Sequence, residues 1–116
     1  MRDMTEYSPI IQKLLDRTRE GKVAWEEATR GFKAQVGLYT FRVFSSDEGG
    51  DTTVRLTMRD DRDSEIFEVT LTDDPPTIAQ YRQIVANLKE IYELARRKAL
   101  NVEEKLGEVS GLLDQM

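Results

Sequence analysis

The chain of 116 residues contains no cysteine and no histidine. Without cysteine it can form no disulfide and offers no thiolate as a nucleophile or metal ligand. Without histidine as well, it cannot build a Ser/His/Asp triad, a Cys/His pair, a zinc finger or the usual catalytic zinc site. These two absences exclude several large enzyme classes, and we expect no catalytic residue, no metal ion and no cofactor.

Long apolar runs are also lacking. No run approaches the roughly 20 residues that span a bilayer, and the segment MRDMTEYSP lacks the apolar centre of a signal peptide. We therefore expect a cytoplasmic protein with no membrane contact.

The 22 acidic residues outnumber the 17 basic ones, which opposes nucleic-acid binding, because that binding needs a clustered positive face. An acidic surface favours a basic protein partner instead.

The longest periodic pattern runs from Thr77 to Leu100 and predicts an amphipathic helix. Its apolar residues share an arc of roughly 140°: Ile78, Tyr81, Ile84, Val85, Leu88, Ile91, Tyr92, Ala95 and Ala99. Thr77 and Gln80 can form a capping box at its start, after Asp73, Asp74, Pro75 and Pro76. This stripe must be covered by the remainder of a single domain, residues 1–116.

A second helix is predicted from Ser8 to Glu20, with Ser8 as the cap, Pro9 in the first turn and Gly21 at the end. Its stripe comprises Ile10, Ile11, Leu14, Leu15 and Thr18. The segment Lys22 to Thr29 is at best a short extended piece, and its Trp25 is interpreted as a core anchor.

Alternating apolar residues then predict four antiparallel strands. The alternation shifts by one residue across Gly37 and Leu38, which a two-residue type II′ hairpin explains by placing Val36 opposite Tyr39. A single strand with a bulge at Gly37 would also restore the phase. Two further strands, Thr53 to Arg59 and Ile66 to Thr72, complete a meander with one apolar face.

The pattern changes again at Asn101, where we expect the long helix to break, since Asn tolerates the left-handed conformation. Asn101 could equally cap the last helix, Val102 to Asp114, which Gly107 and Gly111 weaken. Its apolar residues would cover either the core or a partner: Leu106, Val109, Leu112 and Leu113.

Three features of the sequence are Trp25, the turn at Gly37, Leu38 and Tyr39, and the run Ile91, Tyr92, Glu93, Leu94, Ala95, Arg96, Arg97, Ala99 and Leu100. Through these features the chain resembles a group of small uncharacterised bacterial proteins built as a helix, an antiparallel sheet and C-terminal helices. The group usually has glycine where this chain has Asn101. The resemblance implies the same fold and carries no activity or site.

Clustered charges give only structural expectations. Four acids gather in one turn, Asp60, Asp61, Asp63 and Glu65, but the glycine and the twelfth-position acid of a calcium loop are missing, so we expect a solvated turn. Arg96, Arg97 and Lys98 lie near a helix C-terminus, where cations are favourable.

Leu94 and Leu100 fall outside the apolar arc of the long helix on opposite flanks, so the sheet cannot bury both.

The sequence thus predicts an α+β domain with an N-terminal helix, a four-stranded antiparallel meander, a long C-terminal helix and a short last helix, all packed on one sheet face. The expected function is a non-catalytic protein-interaction module, homodimeric or with another protein, and its interface would include Leu94, Arg96, Arg97 and Leu100 with the exposed part of the last helix. Two alternatives stay open. One is an immunity or chaperone-like protein that masks a basic partner. The other is a small enzyme or ligand carrier that uses Asp, Glu, Arg and Tyr in a cleft between sheet and helix.

Overall fold

The computed structural model describes residues 4–48, 51–72 and 79–116. After a 3-10 turn at Met4–Tyr7, the elements follow in this order: α1 (Ser8–Arg19), β1 (Glu26–Ala28), β2 (Gly31–Val36), β3 (Tyr39–Glu48), β4 (Asp51–Arg59), β5 (Glu65–Thr72), α2 (Ala79–Ala99) and α3 (Val102–Asp114). The class is α+β with an antiparallel sheet, as predicted. Among the described helices, none combines the length and hydropathy that crossing a bilayer requires.

The sheet has five strands in sequential order, β1-β2-β3-β4-β5, rather than the predicted four. The additional strand is β1, which pairs with β2 so that Glu26 lies opposite Lys33 and Ala28 opposite Gly31. Arg30 adopts a φ of 65° in the two-residue connection between them. With three residues, none of them fully buried, β1 is too short to show an alternating pattern.

The β2–β3 connection is the predicted two-residue hairpin and not a bulge. Val36 lies opposite Tyr39, Ala34 opposite Phe41, and Phe32 opposite Val43. Gly37 has a φ of 62°, whereas Leu38 is not among the residues with positive φ, which is the pattern of a type II′ turn.

Helix α2 packs across strands β1 to β4 and α1 packs against α2, and their buried side chains join those of the sheet in a single core. Its members with no measurable exposure are Ile11, Leu15, Val43, Leu56, Leu88, Ile91 and Ala95. Trp25 is buried with them, as predicted, and Val54, Phe67 and Val69 supply the inward face of the last strands. The α2 stripe is therefore confirmed from Ile84 onward, while the side chains at 78 and 81 and the capping segment 73–77 lie outside the described residues.

Two expectations about α1 were wrong. Ser8 is the first helical residue and not the cap, because the 3-10 turn runs directly into α1 and places Tyr7 at the cap position, where its side chain makes no capping hydrogen bond. The Tyr7 ring instead stacks on Phe67, with 4.5 Å between the ring centroids. Ile10 is 42% exposed, so the apolar stripe is narrower than predicted. Gly21 ends the helix with a φ of 73°, as expected.

The last helix departs most from the prediction, which packed it on the sheet. α3 contacts α2, but none of its residues is buried. The protein is correspondingly elongated, with a longest dimension of 58 Å and a radius of gyration of 15.9 Å, compared with about 13 Å for a compact domain of this length.

Candidate interaction site

Helix α3 is joined to α2 through Asn101, which has the left-handed φ and ψ of 52° and 48°. The break expected at this residue is present. The backbone N–H of Leu100 still donates to Arg96, at 3.0 Å, and the N–H of Lys105 donates to the Asn101 carbonyl, also at 3.0 Å. The Asn101 side chain makes no capping hydrogen bond, so its contribution is conformational and the chain changes direction at a single residue.

The four residues of the predicted interface lie at this junction, but they do not form an open apolar centre. Leu94 and Leu100 are both half-buried and pack against the core. Arg96 donates two hydrogen bonds to Glu93, at 2.7 and 3.1 Å. Their membership of an interface stays a prediction.

Arg97 connects the two C-terminal helices. Its guanidinium donates to Glu103 of α3 at 2.9 Å and lies 3.3 Å from Glu93 of α2. The two arginines, Arg96 and Arg97, lower the pKa of the glutamates that they contact. The hydrogen bond from Arg96 lowers the pKa of Glu93, and the bond from Arg97 lowers the pKa of Glu103. Both carboxylates therefore stay ionised to a lower pH than a free glutamate does, and the Arg97–Glu103 pair is a solvent-exposed contact between α2 and α3.

Beyond its first turn, α3 presents an uncovered apolar stripe. The exposed fractions range from 49% at Val109 to 62% at Leu112, with Leu106 and Leu113 near 60%, and Met116, which follows the end of α3, is 97% exposed. Residues 102, 106, 109, 113 and 116 are spaced by four, three, four and three, which is the heptad spacing of helices that pair with other helices, although Val102 in the first turn is half-buried. We name this set, together with Leu112, the α3 stripe.

This helix has little to stabilise it within the chain. Isolated helices shorter than about 12 to 15 residues are marginal in water, and α3 has 13 residues. Gly107 and Gly111 each lower its stability by about 1 kcal/mol relative to alanine. α3 has no buried residue, so packing within the chain contributes little to its stability.

The outer sheet face, opposite the helices, is a second surface of note because it carries paired charges: Lys33 lies 3.9 Å from Glu26, and Arg55 lies 3.1 Å from Glu68. One cross-strand row contains Glu26, Lys33, Arg42, Thr57 and Glu68. The Nε atom of Arg42 is buried and has no hydrogen-bond partner among the described residues. A groove of about 660 Å³ lies nearby, lined by Arg30, Phe44, Ser45, Ser46, Thr53 and Arg55. Strand alternation predicts that Lys33 and Arg42 share the solvent side of the β2–β3 hairpin, and the two residues lie opposite each other.

The acidic turn has a structural role. One carboxylate oxygen of Asp60 accepts hydrogen bonds from the backbone N–H groups of Arg62 and Ser64, at 3.0 and 2.9 Å. Asp63 adopts a φ of 61° and lies 3.5 Å from the guanidinium of Arg59. Within the described ranges, no three acidic side chains converge as a metal site would require.

Between the sheet and the helices, where the alternative of a small enzyme or ligand carrier would place a cleft, lie the fully buried side chains of Leu56, Leu88 and Ile91. Comparison with protein-family models, with curated proteins and with solved structures returned no match to this chain.

Proposed function

We propose that this protein is a non-catalytic protein-interaction module and that α3 is its contact element. The observation that carries the proposal is the α3 stripe: large apolar side chains on a described helix that buries none of its residues. A contiguous exposed apolar surface of this kind is typical of interfaces. The acidic residues around it and the cations at its base form the polar rim that interfaces usually have.

The free energy available from covering this stripe is substantial. Full burial of a large aliphatic side chain is worth about 1.5 to 3 kcal/mol, and Leu106, Val109, Leu112 and Leu113 are 49% to 62% exposed. Covering these four side chains therefore contributes roughly 3 to 7 kcal/mol per helix. Association costs about 4 to 15 kcal/mol, so a partner must supply apolar surface of its own. The predicted residues Leu94, Arg96, Arg97 and Leu100 lie at the base of this contact.

Two other functions have weaker support. Masking of a basic partner, as an immunity or chaperone-like protein would do, rests on the net charge of −5 alone. A small enzyme or ligand carrier would need a sheet-helix cleft, whereas the residues between these layers are close to fully buried.

The test is site-specific photo-crosslinking in cells that express the full chain. A photoreactive residue replaces Val109 in the α3 stripe, and a matched variant carries it at Glu104, which lies on the opposite side of the same exposed helix. We expect a crosslinked protein product from position 109 and little from position 104. The absence of any product from position 109, or equal products from both positions, would contradict the proposal.

A further inference from the structure

We infer that the partner of α3 is α3 of a second copy of this chain, in an antiparallel pair. The inference rests on the proposed function and names the occupant of the α3 stripe. Three properties of the helix support it: the heptad spacing of its apolar residues, the distribution of its charges, and the match between the groups that would meet across the pair.

The spacing permits a self-complementary contact. In an antiparallel helix pair, a positions pack against d positions of the partner. With Leu106 and Leu113 at a positions and Val102 and Val109 at d positions, one alignment places Leu106 against Val109 of the second copy and Val102 against Leu113. Each contact then occurs twice about a two-fold axis, as an isologous dimer requires. The stripe of one copy covers the stripe of the other along the helix.

The charges favour the antiparallel arrangement over the parallel one. The first half of α3 carries Glu103, Glu104, Lys105 and Glu108, whereas the second half carries Asp114. A parallel pair would place the two acidic first turns side by side and align the helix dipoles. The antiparallel pair places each acidic half beside the less charged half of its partner.

The residues that flank the seam are also compatible in this alignment. The aliphatic stem of Lys105 lies along Leu112 of the second copy, and Glu103 lies near Ser110, so that no like charges meet across the seam. Leu112, which is 62% exposed, is thereby covered although it lies beside the a and d positions. The pairing accounts for the exposed leucines of the described α3.

The expected dimer is weak. A helix of 13 residues is about 20 Å long, so the contact is small beside the roughly 800 Å² per partner of a standard interface. We expect dissociation in the micromolar range. Sedimentation equilibrium of the full chain should show a rise from 13.4 kDa toward twice that mass as the concentration increases.

The absence of native cysteine makes disulfide trapping a clean test of the alignment. Leu106→Cys and Val109→Cys variants, one of them tagged, are mixed and oxidised. We expect the mixed disulfide to form at least fivefold more than either disulfide between identical variants. Glu104→Cys, on the opposite side of α3, is the matched control and should give little dimer. Unchanged melting temperatures of the reduced variants show that each still folds.

The outcomes separate this inference from the proposed function. Preferential disulfides between identical variants would indicate a parallel pair and overturn the inference. A monomer at all concentrations with no disulfide would also overturn it. If position 109 then crosslinks in cells to a protein of another mass, the proposed function survives and only the identity of the partner is wrong. If position 109 gives no product in cells either, both fail.

Discussion

The indole N–H of Trp25 donates a 3.1 Å hydrogen bond to the hydroxyl of Thr18, which itself donates a 2.7 Å bond to the carbonyl of Leu14. Trp25 and Thr18 are both more than 90% buried. The pair joins the segment before the sheet to α1 and satisfies a polar group that the core would otherwise leave unpaired.

Replacing Thr18 by valine should remove the acceptor and leave the indole N–H buried and unsatisfied. We expect a loss of about 1 to 3 kcal/mol in the free energy of unfolding, measured by urea denaturation. Thr18→Ser is the matched control, since it keeps the hydroxyl. An unchanged free energy of unfolding in Thr18→Val, or a loss confined to Thr18→Ser, would show that the hydrogen bond contributes nothing and that the methyl group matters instead.

The second prediction concerns the stability contribution of Leu88, which lies fully buried in the middle of α2. Leu88→Ala should lower the free energy of unfolding by about 2 to 5 kcal/mol through lost burial and a cavity. Lys98, exposed on the same helix, provides a control, and its change to alanine should stay within about 0.5 kcal/mol. A loss below half a kcal/mol at Leu88 would contradict the position assigned to α2.

The third prediction concerns Gly37, where an added side chain would meet open space but the φ of 62° is unfavourable for L residues. Gly37→Val should be destabilising, by at least the roughly 1 to 2 kcal/mol that this conformation costs. Gly37→Asn should lose less, since asparagine tolerates it. A wild-type melting curve for Gly37→Val would remove the basis of the hairpin assignment.

The fourth prediction concerns Gly31, where an added side chain should be destabilising because of steric contact and not because of the backbone φ. A Cβ atom there would lie 2.2 Å from the carbonyl oxygen of Val43 and 2.9 Å from the ring of Phe44. Gly31→Ala must therefore displace the backbone of β3, and we expect a loss of about 1 to 3 kcal/mol from overpacking. A melting temperature equal to that of the wild type would show that the two strands separate without cost at this point.

The pH dependence of stability should depend in part on the ion pair that joins α1 to α2. Arg19 donates two hydrogen bonds to Glu90, at 2.5 and 2.7 Å, and these bonds lower the pKa of Glu90 below its ordinary value of 4.5. A lowered pKa in the folded state stabilises the protein above the unfolded pKa, and this contribution is lost as the pH falls through the folded pKa.

Melting temperatures of the wild type and of Glu90→Gln should therefore differ at neutral pH and converge as the pH falls below about 4.5. Arg19→Gln should reproduce the same convergence, because it removes the other half of the pair. A constant difference between wild type and Glu90→Gln at every pH would mean that the carboxylate charge contributes nothing and that only packing is affected.

Sequence patterns predicted the elements with long, one-sided periodicity and failed where a residue's role depends on distant neighbours. The stripe around Leu88 and the hairpin at Gly37 were predicted because the spacing of apolar residues in the sequence follows the helical period and the strand period. β1 lies within the segment Lys22 to Thr29, which was expected to be at best a short extended piece, but it was not counted as a strand because three residues contain no period. The close approach of the Val43 carbonyl group to Gly31 could not be predicted either, since it depends on how β2 and β3 pair.

The candidate site was predicted only in outline for the same reason. Leu94 and Leu100 were correctly placed outside the main arc of α2, yet both pack against the core, because the helix and its neighbours cover more than the sheet alone. The partners of Arg97 could not be read from spacing, since Glu103 reaches it only after the chain turns at Asn101. The apolar pattern of α3 was visible, but whether it covered the core or a partner depended on the direction of that turn.

Sequential strand order also has a consequence for folding during synthesis. Every strand pairs with its neighbour in the chain, and topologies rich in local contacts fold quickly, so the meander can form hairpin by hairpin as it leaves the ribosome. Its apolar face needs α2, whose last residue, Ala99, follows the end of β5 at Thr72. At about 5 to 20 residues per second, that interval lasts roughly one to five seconds. During this time the nascent sheet lacks the helix that packs across four of its strands, which makes the unfinished chain the form of this protein most exposed to aggregation and to chaperone capture.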